Sequence, residues 1–276
     1  TMSFFSFLIK NKFPNKEVLR TLSSGPLTVS RAIFYIIFAT LLVIIYIFLI
    51  KLNDQMLVTV PARGGTLAKG IIGAPRFINP ILATTNTDIA LTNLVFAGLM
   101  KELGDGTLVP ELAQSYEISP DGKKYTFVLR DKLTFHNKSP LTSEDIVFSI
   151  EKLQNPLLNS RDAQYWQKVS VSTQDKNTVI ATLENPDTKF LQKMTIGIMS
   201  RNQWQDVSDE EFPNSPSNLA PIGSGAFKIK SIDTNELGAP KKVSLVRNGH
   251  YPLGAPLLSK LNIIVFANEA ALLKAI

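Results

Sequence analysis

Two histidines and no cysteine restrict the chemistry open to this chain. Without a thiol there is no cysteine nucleophile, no disulfide and no cysteine metal site. An enzyme would need a cluster of titratable groups. His136, in Phe135-His136-Asn137-Lys138-Ser139-Pro140, and His250, in Asn248-Gly249-His250-Tyr251-Pro252, each stand in a turn-like context that accounts for them structurally. Asp209, Glu210 and Glu211 form an acidic run with no histidine or second acidic cluster nearby, a poor basis for a metal site. Glu144 and Asp145 open a helix, where capping and the macrodipole explain them. Ser224, between Gly223 and Gly225, lacks the pattern of a nucleophile elbow, and the flanking glycines suit a tight turn. The expectation is a protein that is not an enzyme, with no cofactor and no metal.

Charge is distributed unevenly. The whole chain has a net charge of +6. Lys10, Lys12, Lys16, Arg20 and Arg31 face only Glu17 in the first 31 residues, whereas the remainder after Lys51 is nearly neutral. A nucleic-acid partner loses its main support, because the larger part carries almost no basic excess. Residues 32–50, AIFYIIFATLLVIIYIFLI, are uncharged, with Thr40 the one hydroxyl outside tyrosine. At ~1.5 Å per residue such a helix matches the hydrocarbon thickness of a bilayer. Aromatic rings lie near both ends of the run. The basic flank predicts that residues 1–31 form a cytoplasmic tail and that everything after Lys51 is extracytoplasmic, on a single uncleaved span of the cell membrane. No small-residue cleavage site follows Ile50, and no cysteine is available for a lipid anchor. Thr1 preceding Met2 suggests a fragment rather than a natural start.

Beyond a linker over 51–61, strands and helices interleave without one period, which predicts an α/β or α+β fold with no internal repeat. Residues 66–72 read as a strand weakened by Gly70, with Gly73 beside it; such glycines mark close approach of another backbone. Thr87 or Asp88 is expected to cap a helix to about Met100. Residues 115–119 and 124–130 alternate in polarity around Pro120-Asp121-Gly122-Lys123, a hairpin. Tyr116 and Ile118 should share one face of the first strand, and Tyr125, Phe127 and Leu129 one face of the second. Thr142 and Asp145 have capping-box spacing, with Leu141 and Ile146 as a hydrophobic staple, for a helix to about Leu153. Strands near 168–173 and 178–183, a helix near 188–195, strands near 226–231, 242–246 and 260–266, and a helix from Glu269 complete the reading.

The ordered series GGTL…INPIL (64–82), LVPELAQSYEISPDGKKYTFVLRDKLTFHNKSPLTSEDIVFSI (108–150), PIGSGAFKI (221–229) and VRNGHYPLGAPLLSKLNIIVF (246–266) resembles the peptide- and nickel-type extracellular solute-binding proteins that feed ABC importers. The resemblance covers essentially everything after residue 63. It implies a periplasmic-binding-protein-like clamshell of type II, cluster C, with ligand enclosed between two lobes. Lobe I would comprise 62–82 and 187–262, an extra subdomain 83–186, and the start of lobe II 263–276. Most of lobe II, and with it the acid expected to meet a peptide amino terminus, would lie beyond Ile276; a piece ending there is expected to be unstable through exposed strand edges.

What the resemblance implies for function is a membrane-tethered receptor that binds short peptides and hands them to a permease and its ATPase. The edge formed by Ile71, Ile72, Gly73, Ala74 and Pro75 would add the peptide as an extra strand. Tyr165 and Trp166 fall where relatives place cleft-facing side chains, and core packing of that segment is the equal alternative. Gly223 and Gly225 would sit at the hinge side of the cleft. A nickel chelate, a sugar, or a sensory role without transport remain the other readings.

Overall fold

A computed structural model describes residues 29–56 and 62–275. The basic tail over 1–28, the later part of the linker over 57–61 and Ile276 lie outside the described residues. The described residues fall in two units, one within 1–61 and the other within 62–276. In the first, helix α1 (Val29–Met56) contains a 21-residue stretch, Ala32–Leu52, of mean hydropathy 3.0, long and apolar enough to cross a membrane. The helix continues through Lys51 to Met56, past the expected start of the linker, because no glycine or proline intervenes before Pro61. Thr40 donates its hydroxyl to the Ile36 carbonyl at 2.7 Å, which satisfies the one side-chain polar group mid-run.

The second unit opens with β1 (Gly64–Ile72), α2 (Asn86–Val95), β2 (Met100–Glu102), β3 (Leu108–Pro110), β4 (Ala113–Ile118) and β5 (Lys124–Leu129). Helices α3 (Ser143–Gln154) and α4 (Ala163–Trp166) precede β6 (Val169–Asp175) and β7 (Thr178–Leu183). Then come α5 (Phe190–Lys193), α6 (Arg201–Trp204), β8 (Phe227–Thr234), β9 (Pro240–Arg247), β10 (Leu258–Phe266) and α7 (Glu269–Lys274). One sheet has the order β1-β10-β9-β8, with β1 parallel to β10 and the other pairs antiparallel. A second sheet, β4-β5-β7-β6, is antiparallel throughout. The chain therefore leaves the first sheet after β1, builds the second, and returns for β8 to β10.

Local sequence dictates the best-defined pieces. In the β4–β5 turn, Gly122 has φ +68°, a conformation that disfavours a Cβ, and Asp121 accepts the Lys123 N–H at 3.1 Å. Tyr125, Phe127 and Leu129 alternate into the core. Ile118, on the face it shares with Tyr116, is 46% exposed, because β4 is an edge strand and Ile118 ends it beside the open turn. Asp145 caps α3 by accepting the Thr142 N–H at 2.9 Å, and Leu141 and Ile146 are both buried around that turn. Asp145 also accepts the Arg201 N–H at 2.9 Å, so one carboxylate fixes the starts of two helices. Ile146, Ile150 and Leu153 then carry the apolar face of α3 inward at helical spacing.

Two expected helices are shorter. Thr85, not Thr87 or Asp88, caps α2, accepting the Asp88 N–H at 3.1 Å, and the helix stops at Val95. Beyond it the Ala97 carbonyl accepts from Ile198 N–H at 2.9 Å and the Gly98 carbonyl from Leu112 N–H at 3.1 Å. Gly98 N–H donates to Glu111 Oε2 at 2.9 Å and Met100 N–H to the Met194 carbonyl at 3.0 Å, donors that a longer helix would turn back onto Leu94 and Phe96. Likewise only Phe190–Lys193 of the expected 188–195 helix is α-helical. Its anchor, Phe190, is buried against Tyr125 and Trp166, at ring-centre distances of 4.6 and 6.3 Å.

Candidate functional site

A groove of about 350 Å³ opens among the loop after β1, helix α2, the α4 turn and the α5 turn. That is the size of a small-ligand site. Pro80, Ile81, Ile89, Leu153 and Ile196 provide its apolar wall, and Trp166, 1% exposed, closes it from beneath. Its charged residues stand together: Arg161, Asp162 and Lys193. Lys193 pairs with Asp162 at 3.0 Å and lies 5.1 Å from the Tyr165 ring centre. Arg161 donates to the Thr84 carbonyl at 3.3 Å. Thr92 Oγ1 is buried and has no hydrogen-bond partner. It lines both this groove and an adjoining hollow of about 230 Å³ that also contains Lys101 and Glu111.

The adjoining hollow has a hydrogen-bonded polar floor. Glu111 accepts from the Gly98 N–H at 2.9 Å, from Lys101 Nζ at 3.4 Å and from the Tyr251 hydroxyl. Burial, reinforced by the Glu111 charge, pushes the Tyr251 phenol well above its ordinary range and keeps it a proton donor. The Tyr165 phenol is raised too, by burial first and by its 2.6 Å bond to Asp187 second. That bond in turn holds Asp187 below the usual carboxylate range.

The residues expected to bind ligand lie in two places. Trp166 lines the groove, packed into the core as its wall. Tyr165, next to it on a one-turn helix, faces instead a depression lined by Lys168 and residues 183–187. Ile71–Pro75 line neither. β1 pairs only with β10, so its outer edge is unpaired within this sheet, and Ile72, Gly73 and Ala74 are exposed while Pro75 is buried. Gly73, at φ +89°, turns the chain and donates its N–H to the Phe266 carbonyl at 2.9 Å. The Ile72 carbonyl accepts from the Thr87 hydroxyl at 3.1 Å. The space over Gly70 is filled by side chains, since a Cβ there would lie 2.3 Å from Leu272 Cδ1. Helix α2 links the two places. Its first turn holds the strand end through Thr87 and through Asp88, which accepts from Arg76 and Phe77 N–H groups at 2.8 and 3.1 Å. Its middle turns supply Ile89, Thr92 and Asn93 to the groove.

Sequence reading missed Thr92, Arg161, Asp162 and Lys193. Arg161 and Asp162 immediately precede the Tyr165 segment, a usable signal; nothing local ties Lys193 or Thr92 to them. Among the described residues no group of three His, Cys, Asp or Glu converges as a metal site.

His136 has a structural assignment. Its Nε2 lies 3.1 Å from the Gly225 carbonyl, its N–H donates to the Gly223 carbonyl at 2.8 Å, and its Nδ1 is buried without a partner. Burial first, with the Lys228 charge adding to it, lowers the ring to about 4 from an ordinary 6.5. The folded state thus holds His136 neutral where the unfolded chain protonates it. Its contribution is complete above pH 6.5 and is lost as pH falls from there towards 4. Between pH 7 and pH 4.5 this one residue should remove on the order of 2 kcal/mol of unfolding free energy. Urea titrations of the wild type and of His136→Gln across that range check it; equal pH slopes would refute the assignment.

A family model described as "Bacterial extracellular solute-binding proteins, family 5 Middle" matches residues 107–276. The chain is 27% identical over 238 residues to a Pseudomonas aeruginosa protein named "Probable di/tripeptide-binding protein 5", covering 75% of this chain and 42% of that one. It is 28% identical over 196 residues to the nickel-binding periplasmic protein of Escherichia coli, covering 68% of this chain and 35% of that one. Among solved structures it is similar to the ABC transporter substrate binding protein CtaP of Listeria monocytogenes, with a TM-score of 0.67 and 31% identity, over 77% of this chain and 43% of that one. The chain spans less than half the length of each of these relatives.

Proposed function

The chain belongs to the bacterial extracellular solute-binding proteins of family 5, and on that footing we propose that it binds short peptides in the groove over α2 and passes them to the permease of an ABC importer. Its α/β fold is that of the type II periplasmic binding proteins. In this reading α1 is a single membrane span, with the basic tail cytoplasmic and the second unit extracytoplasmic. Lobe I takes residues 62–82 and 187–262, and the inserted subdomain 83–186. The strand order supports that division, because β1 shares a sheet with β8 to β10 while β4 to β7 form their own.

The observation that carries the peptide reading is the groove itself: an apolar wall and tryptophan floor beside converging charged and hydroxyl groups, at a volume of about 350 Å³. Apolar surface supplies affinity whatever the peptide sequence, and the polar groups fix its orientation. The unpaired β1 edge is a second proposed contact, through main-chain hydrogen bonds worth ~0.5–1.5 kcal/mol each. Closure around the ligand is then a population shift between open and closed forms.

The full chain in detergent, given tripeptides at about a hundred times their Kd, should gain about 2.7 kcal/mol. For a unit of this size that is roughly 5–11 °C in melting temperature. A panel of di- to pentapeptides that leaves the transition unmoved at millimolar concentration would defeat the reading.

A further inference from the structure

We propose that the groove selects peptides that present a side-chain carboxylate to the wall formed by Arg161 and Lys193, a specificity that rests on the peptide reading above. Three charged residues line the groove, two cationic and one anionic. The single anion is already engaged: Asp162 pairs with Lys193 at 3.0 Å. Arg161 has no such counter-charge among the described residues; its one hydrogen bond there is a 3.3 Å contact to the neutral Thr84 carbonyl. A guanidinium offers a planar fork that matches a carboxylate with two parallel bonds, and a single carbonyl leaves most of that fork unused.

Lys193 completes the subsite. Its ammonium has three donors, of which Asp162 takes one. A ligand carboxylate between Arg161 and Lys193 would therefore add bonds without breaking the existing pair. A cationic side chain in the same place would have to compete with Lys193 for Asp162 and lie beside Arg161, so it is disfavoured twice.

Thr92 strengthens the case for an acceptor. Its Oγ1 is buried, 5% of the residue being exposed, and it has no partner although it lines the groove. A buried hydroxyl left unpaired is costly, and a ligand oxygen within reach removes that cost on binding.

Calorimetry on the full chain in detergent tests this with tripeptides of alanine in which glutamate, glutamine or lysine is walked through each position. All carry the same termini, so only the side chain differs. At one position or more, glutamate should bind at least tenfold tighter than glutamine, and lysine weaker than both. The glutamate preference should shrink at high salt, since exposed charge is screened there. In Arg161→Gln the glutamate-to-glutamine ratio should fall below threefold, and in Arg161→Glu the order of glutamate and lysine should reverse. Equal affinities for glutamate and glutamine in the wild type would overturn the proposal while leaving the peptide reading intact. So would a preference unchanged in both variants at an unchanged melting temperature. Failure of every tripeptide to bind would instead overturn the peptide reading, and this specificity with it.

Discussion

Gly223→Ala is expected to cost ~3 kcal/mol or more of stability, because a Cβ there makes the shortest approach of any described glycine, and makes it to backbone. A Cβ at that position would lie 2.0 Å from the Val95 carbonyl oxygen and 2.8 Å from the Val95 carbonyl carbon. Both are backbone atoms at the end of α2, so no rotamer change relieves the overlap. The turn would have to withdraw, breaking the 2.8 Å bond from Gly225 N–H to that same Val95 oxygen and the contacts of His136 with Gly223 and Gly225. Melting temperature should drop by roughly 6–12 °C. Gly249→Ala is the control: nothing lies within 4 Å of its Cβ and its φ is not positive, so its change should stay within about 1 kcal/mol. Equal losses in the two variants would mean that the close approach of the turn to α2 is not what requires glycine.

Trp166→Ala should follow, at ~3–5 kcal/mol, the range for removing a large aromatic from a packed core. Trp166 meets Phe190 at 6.3 Å and Tyr165 at 5.8 Å between ring centres, both edge-on. Its peptide carbonyl also accepts the Gln154 side chain at 3.1 Å, a bond that survives the substitution. Because the indole closes the groove from beneath, the same change should weaken peptide binding. Trp166→Phe, which keeps a ring there, should recover most of both losses. Tyr165→Phe removes only the hydroxyl bonded to Asp187; about 1 kcal/mol is expected, with binding in the groove untouched. Denaturant unfolding and calorimetry on the three variants separate these roles; a stable Trp166→Ala protein would contradict the packing assigned to the indole.

These two residues also mark what the sequence could and could not convey. The hairpin at Asp121-Gly122, the capping residue Asp145 and the apolar spacing of α3 were legible because each depends on residues within a few positions of one another. The end of α2 was not. Whether the chain stays helical after Val95 is decided by Glu111 and Met194, which take the Gly98 and Met100 N–H groups from outside the segment. The same holds for the groove. Arg161 and Asp162 stand side by side in the chain, but Lys193 reaches them through the fold, and Thr92 comes from another helix. Tyr165 and Trp166 were legible as a pair worth attention, yet neighbours on a helix point about 100° apart, so only one of them faces the groove. The end of β1 at Ile72 was legible, but Gly73, Ala74 and Pro75 of the expected edge lie past the strand, and the partners Thr87 and Phe266 became evident only from the packing.

The central claim is that lobe I of this solute-binding protein receives peptide in the groove over α2. Photo-crosslinking locates the ligand most directly. The full chain is irradiated with a tripeptide carrying a benzophenone side chain, and the labelled residues are mapped by mass spectrometry. Labelling within 80–93, 161–166 and 192–197, abolished by excess unmodified peptide, is the predicted result. Competable labelling confined to residues outside those segments, or none that unmodified peptide can compete, would contradict it.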